Sequence, residues 1–207
     1  MHHLCGRRWG LGLFLVIVIG VAWLGTVPAS AYTLDDILQR VRWDTRGYPS
    51  HMGFRQEIKV TAFIKTWRFT SEVVRKGNTV TAETQGAPQF IPAEVTATLV
   101  DPEVLLADFD LALAGERMEG SDRYYIIEGS RKPGVTTGAI SGRLWIDPST
   151  WLIARIEARY WWGTLDVRQT YRAEQGLTVL DHQTAVVHPF GVRMEVTYTG
   201  YWFGPSG

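Results

Sequence analysis

The sequence predicts an α+β, mainly β fold: a curved antiparallel sheet with one or two helices over its concave face. Three observations lead there. Beyond residue 50 the apolar residues recur at alternate positions, the period of a half-buried strand. The segments carrying that alternation are separated by clusters such as Asp147-Pro148-Ser149 and Gln175-Gly176, too short to return a parallel strand. Two segments read as helices, so the sheet's apolar side has little to cover it.

The elements follow in chain order. "MHHLCGRRWG" carries Arg7 and Arg8 and no acid, Leu11 to Val27 is uniformly apolar, and Pro28-Ala29-Ser30-Ala31 ends in small residues. A charged start, an apolar middle and an A-x-A end describe a secretory signal peptide over 1–31, cleaved after Ala31. An uncleaved membrane anchor is the minor alternative, since the apolar run is close to a spanning length. The remainder, 32–207, reads as one domain. Cys5 is the only cysteine and lies in the leader, so the exported domain has neither disulfide nor thiol chemistry.

Thr33 caps a helix running to about Arg46: Asp35 and Asp36 sit at its positive end, and Leu34, Ile37, Leu38 and Val41 form one apolar stripe. Phe54 to Trp67 reads as one strand whose alternation Phe63 interrupts. Phe69–Arg75 and Thr79–Thr84 flank Lys76-Gly77-Asn78 as a hairpin. Val95–Leu99 fits no element clearly, and Asp101-Pro102-Glu103 opens a short second helix. Phe109, Leu111 and Leu113 then share one strand face, Glu119 to Asp122 is a turn, and Tyr124–Glu128 is a strand. Ser141–Asp147, Trp151–Trp162, Thr164–Glu174, Leu177–His188 and Val192–Trp202 complete a meander, with the Trp151 strand between its two neighbours.

Period two divides these strands into two faces. Leu152, Ala154, Ile156, Ala158, Tyr160 and Trp162 fall on one side, and Ile153, Arg155, Glu157, Arg159 and Trp161 on the other. The next strand sets Leu165, Val167 and Tyr171 against Asp166, Arg168 and Arg172. The last sets Val192, Met194, Val196 and Tyr198 against Arg193, Glu195 and Thr197. One face is therefore wet and the other must be covered.

Composition and motifs exclude several function classes. The chain has 207 residues, is 45% hydrophobic and has a formal net charge of zero, which gives no footprint for nucleic acid. There is no phosphate-binding loop and no G-x-S-x-G; Ser130 sits in a turn-rich loop that backbone geometry explains, and Glu116, Glu119 and Asp122 crowd a turn as solvated acids. His182 and His188 share a strand face but stand about 20 Å apart, too far to hold one ion. No cofactor, metal site or catalytic residue is expected. Nine tryptophans, seven of them beyond the leader, are many for a sheet core, which favours Val, Ile and Leu; they fill either a wide core or an apolar ligand site.

The run of "YTLDDILQRV", "ADFDLALAGERMEGSDRYYIIEGS", "SGRLWIDPSTWLIARIEA" and "VRMEVTYTGYWF" behind a leader resembles the LolA/LolB-like lipoprotein-carrier group, which includes the RseB-type sensors. "KGNTVTAETQGAPQFIPAEV" is a Gly/Pro-interrupted departure from that pattern. The resemblance implies a half-barrel whose helical lid encloses an apolar cavity for acyl chains. It implies an exported, non-enzymatic carrier or sensor, periplasmic or extracellular, that binds lipid, an acylated protein or another amphiphile and associates transiently with membranes. Leu152, Ile156, Tyr160, Trp162, Val167, Met194 and Val196 are its expected ligand-binding residues. The alternatives are an envelope-stress module that binds a partner protein and, less expected, a cell-surface hydrolase.

Overall fold

The computed structural model describes residues 32–41, 49–77, 79–88, 107–136 and 138–204. The expected leader, the Val95–Leu99 segment and the start of the second helix lie outside them. A helix, α1 (Leu34–Arg40), precedes ten strands. They are β1 (His51–Ala62), β2 (Lys65–Lys76), β3 (Thr79–Gln85), β4 (Phe109–Glu119), β5 (Asp122–Arg131), β6 (Ser141–Ile146), β7 (Ile153–Tyr160), β8 (Gly163–Glu174), β9 (Leu177–His188) and β10 (Val192–Phe203). All belong to one open antiparallel sheet in the order β3-β2-β1-β10-β9-β8-β7-β6-β5-β4. The expected placement of the Trp151 strand between its neighbours holds, with β7 between β6 and β8.

Thr33 caps α1 as its side chain predicts. Its Oγ1 accepts from Asp36 N at 3.2 Å, and Asp36 Oδ2 accepts from Thr33 N at 2.9 Å, a reciprocal capping box. The helix is shorter than expected, because Val41 leaves helical geometry at ψ 126°. Val41 N–H still donates to Ile37 O at 2.9 Å, and both side chains are fully buried.

Two departures from the expected strands have local causes. The span from Phe54 to Trp67 is not one strand: the chain reverses at Phe63-Ile64, and Ala62 pairs with Lys65. Phe63 adopts φ +53°, a region bulky residues avoid, so no residue-type signal marks this turn. In β7 the register shifts beside Ile146, which pairs with Ile153 while Trp145 pairs with Arg155. That bulge puts Ile153 on the same side as Ile156, against the strict alternation that assigned it to the charged face. Ile153 is fully buried with Ile146, Leu144, Tyr125 and Ile127 beneath α1, and Leu152 is outside that cluster.

The core has two parts. Under α1, Ile37 and Val41 meet β5, β6 and β7 through the cluster just named. Across β1, β2, β9 and β10 a second cluster contains Met52, Phe54, Ile58, Val60, Phe69, Val73, Val196, Tyr198 and Tyr201. The β9–β10 ladder stops at Thr197 opposite His182. Beyond it the gap is bridged by side chains: Arg172 Nη1 donates to Tyr198 O at 2.8 Å, and Tyr201 OH donates to Leu180 O at 2.8 Å.

Candidate functional site: the apolar face of the sheet

Cross-strand register joins the apolar positions into continuous rows. Leu113 is opposite Ile127, Ile127 opposite Leu144, Leu144 opposite Ile156, Ile156 opposite Val167, Val167 opposite Ala185, and Ala185 opposite Met194. The row continues through Val60 to Trp67, and a parallel row takes Val196 to Ile58 and Phe69. Ten strands at about 4.8 Å spacing make a face roughly 40 Å wide. A seven-residue helix is about 10 Å long and 10 Å across, so α1 covers only the β5–β7 part.

Six of the seven expected ligand-binding residues lie on this face or at its end. Ile156, Val167, Met194 and Val196 stand in the two rows. Val167 and Val196 are buried and Met194 is half-buried. Tyr160 ends β7 opposite Gly163, and its ring stacks on Trp162 with centroids 4.6 Å apart and planes 10° apart. Burial alone pushes the Tyr160 hydroxyl above its ordinary pKa. Trp162 in turn lies 6.5 Å from Phe190 in the β9–β10 turn. Leu152 is separated from the group by the β7 bulge.

Polar groups that the sequence reading did not single out are also set into this face. Gln169 is opposite Gln183, and Gln56 is opposite both Ser71 and Tyr198. Tyr198 OH donates to Gln183 Oε1 at 2.9 Å, and Tyr171 OH donates to Ile153 O at 2.9 Å. Ser71 Oγ accepts from Thr84 at 3.2 Å, while Gln56 Oε1 is buried with no hydrogen bond among the described residues. A period-two reading does place Gln169 and Gln183 inward, since each is an even step from Val167 or Ala185, and that was the available signal.

The opposite face is ionic, as the alternation predicts. Arg155 binds Asp166 through Nε at 3.0 Å and Nη2 at 2.6 Å, and approaches Glu119 at 3.5 Å and Glu157 at 3.7 Å. The Asp166 hydrogen bonds, against the opposing effect of burial, hold its guanidinium pKa above the usual value. Arg155 also lies 4.4 Å over the buried Trp145 ring, whose Nε1 donates to Glu119 at 3.0 Å. A depression of about 270 Å³ beside this network is lined by Glu128, Ser130, Ser141, Arg143, Glu157 and Arg159. Its charges suit no acyl chain. His182 contacts Thr197 Oγ1 at 3.3 Å, and no cluster of metal-ligating side chains occurs among the described residues. No helix among them is long and apolar enough to cross a membrane.

No protein-family model matches the sequence, and no curated protein matches it either. Solved structures do match the architecture. A DUF1329 family protein from Desulfovibrio piger superposes with a TM-score of 0.60 at 13% identity, over 81% of this chain and 90% of the other. A LolA superfamily protein from Nitrosomonas europaea gives 0.58 at 13% identity, over 84% and 95%. An outer membrane lipoprotein-sorting protein domain from Vibrio parahaemolyticus gives 0.59 at 10% identity, over 84% and 91%. At these identities the likeness is one of architecture: the open ten-stranded sheet with its short covering helix has the fold seen in the LolA superfamily protein and the lipoprotein-sorting protein domain.

Proposed function

We propose that the chain is an exported, non-enzymatic carrier or sensor that holds the acyl part of a lipid, an acylated protein or another amphiphile against the apolar face of the sheet. The observation that carries this reading is the unbroken row Leu144–Ile156–Val167–Ala185–Met194, which extends well past the reach of α1. Each methylene transferred from water to such a face contributes about 0.8 kcal/mol, so no covalent chemistry is required. The polar set of Gln56, Gln169 and Gln183 gives the same face positions to orient a headgroup or glycerol ester, Gln56 Oε1 having no hydrogen bond among the described residues. The proposed setting is the periplasm or the cell exterior, with 1–31 as leader and 32–207 as the exported domain.

The test is uptake of a fluorescent fatty acid, with organic extraction and mass spectrometry of protein purified from its own host. Ile156→Glu places a charge in the row and should abolish uptake, whereas Glu157→Gln, on the outer face, should leave it unchanged. Met194→Trp fills the row without a charge and should weaken uptake in a protein that folds. Uptake by a folded Ile156→Glu chain equal to wild type, or no uptake by wild type and no extractable lipid, would reduce the aromatics to plain core.

A further inference from the structure

The two ends of the strands differ in what their turns expose. At one rim lie the β1–β2 turn, the β7–β8 turn, the β9–β10 turn and the β5–β6 connection, as the pairs Ala62–Lys65, Tyr160–Gly163, Val192–Val187 and Ser130–Ser141 require. The pairs Thr61–Arg193, Thr164–His188 and Ser141–Arg159 fix these turns at the same end of the sheet. Phe63 is 87% exposed, Ile64 103%, Trp161 87% and Phe190 51%, with Ile140 beside them at 39%. They are five of the eight exposed large apolar side chains among the described residues and occupy three separate turn tips and one connection, whereas the other three, Val80, Met118 and Trp202, lie within strands toward the opposite rim. Among the described residues Lys65, Arg131, Lys132 and Arg159 stand at this rim, with Asp108 and Asp110 at the β4 corner; two residues inward, Arg193 is level with Asp166, Glu157 and Glu128.

We infer that this rim docks on an anionic lipid bilayer, with Phe63, Ile64, Trp161 and Phe190 entering the interface and the cations lying among the headgroups. Trp161 has the amphipathic ring that collects at a membrane–water interface, and Phe63, Ile64 and Phe190 supply the apolar side chains that enter its acyl boundary. Lys and Arg beside them supply attraction to an anionic surface, which an apolar contact with another protein would not need. The rim also continues the proposed binding face: Ile156, Ala158 and Tyr160 lead along β7 to the Tyr160–Trp162–Phe190 stack. An acyl chain leaving the bilayer there meets apolar side chains all the way to the row. The inference rests on residues other than those of the row, so either reading can fail while the other stands.

The experiment uses the full chain with Cys5→Ser and one cysteine carrying an environment-sensitive fluorophore, at Ile64 on this rim or at Ser121 on the other. Vesicles contain phosphatidylglycerol and phosphatidylcholine with a nitroxide-labelled lipid, and no cargo. The Ile64 probe should be quenched about threefold or more above the Ser121 probe, even if the leader anchors the chain, because the comparison reads orientation. Trp161→Ser with Phe190→Ser should remove most of that difference without altering the unfolding transition, and so should high salt or pure phosphatidylcholine. Equal quenching at both rims, or a difference that survives the double substitution, would overturn the proposal. Insensitivity to salt and lipid charge would overturn the anionic surface. Burial of the Ile64 probe without vesicles, increasing with protein concentration, would make the rim a contact between copies of this chain instead.

Discussion

The rim carrying Phe63 and Trp161 and the rim carrying Trp151 are built from the same kind of connection, yet the bulky residues in their turns are exposed at the first and packed at the second. At the second rim the turns use Gly120-Ser121, Gln175-Gly176 and Asp147-Pro148-Ser149, residues that suit tight turns. Trp151 is the exception, with φ +61°, and its neighbours compensate. Its ring stacks on Tyr125 at 5.7 Å, meets Tyr32 edge-on at 5.3 Å, and lies 5.2 Å from the Arg40 guanidinium. Asp147 fixes the same turn: burial pushes its carboxyl pKa up, but hydrogen bonds from Ser149 and Thr150 outweigh that and hold it below the usual range. At the first rim Phe63 also has positive φ, but its side chain is in water. Turn chemistry explains the second rim and, through Gly163 and Gly191, two turns of the first, but not the Phe63-Ile64 reversal, and local rules broken without compensation are most common at functional surfaces.

The most disruptive way to probe this contrast is to open the packed rim. Ile146 is fully buried between Tyr125 and Ile153, so Ile146→Ala should cost about 2–5 kcal/mol in urea unfolding. A loss well below that range would mean that α1 does not clamp this end. Next comes a matched pair of tryptophans. Trp151→Ala should cost about 2–3 kcal/mol, less than for a fully buried ring, while Trp161→Ala should change stability by no more than about 0.5 kcal/mol. Similar losses at both sites would erase the distinction between the rims.

Much of the fold was legible because its signals are local. The Thr33 cap, the alternation in β6 to β10 and the Gly-, Pro- and Asp-marked turns each depend on residue types that few other structures accommodate. Three features were not legible, for physical reasons. The Phe63-Ile64 reversal contains no turn-forming residue, so pattern reading runs β1 into β2. The bulge at Ile153 shifts the face of one residue without changing composition, which exchanges Ile153 for Leu152 on the covered side. The exposed rim depends on which turns come together, a consequence of strand order that no single segment encodes. Of the candidate site, the row through Ile156, Val167 and Met194 could be read from period two, whereas the burial of Gln56 Oε1 without a hydrogen bond among the described residues could not.

A smaller effect tests how α1 holds the packed rim. Thr33→Ala removes half of the capping box and should cost about 1 kcal/mol at neutral pH. Hydrogen bonds from the Thr33 side chain and backbone lower the Asp36 pKa in the folded chain. A carboxylate with a depressed folded pKa contributes stability above its unfolded value, near 4, and loses it as pH falls through the folded value. The gap between Thr33→Ala and wild type should therefore narrow in acid. A gap that is constant from neutral to acidic pH would show that the Asp36 charge takes no part in the cap.

The smallest expected change is the one that most directly asks why the exposed rim exists. Phe63 in the left-handed region costs roughly 1–2 kcal/mol relative to a residue without Cβ. Phe63→Gly relieves that strain but gives the unfolded chain extra freedom worth about 0.4–1 kcal/mol. The net should be a gain in stability of about 0.5 kcal/mol, since a ring that is 87% exposed contributes little packing. Phe63→Ala keeps the Cβ and the strain, so it should unfold with the wild type. If Phe63→Gly is stabilising and also weakens quenching of the Ile64 probe by lipid nitroxides, the ring is held in a strained turn for what it contacts outside the chain. If Phe63→Gly is destabilising by as much as Trp151→Ala, the turn depends on the ring after all, and the contrast between the rims loses its strongest residue.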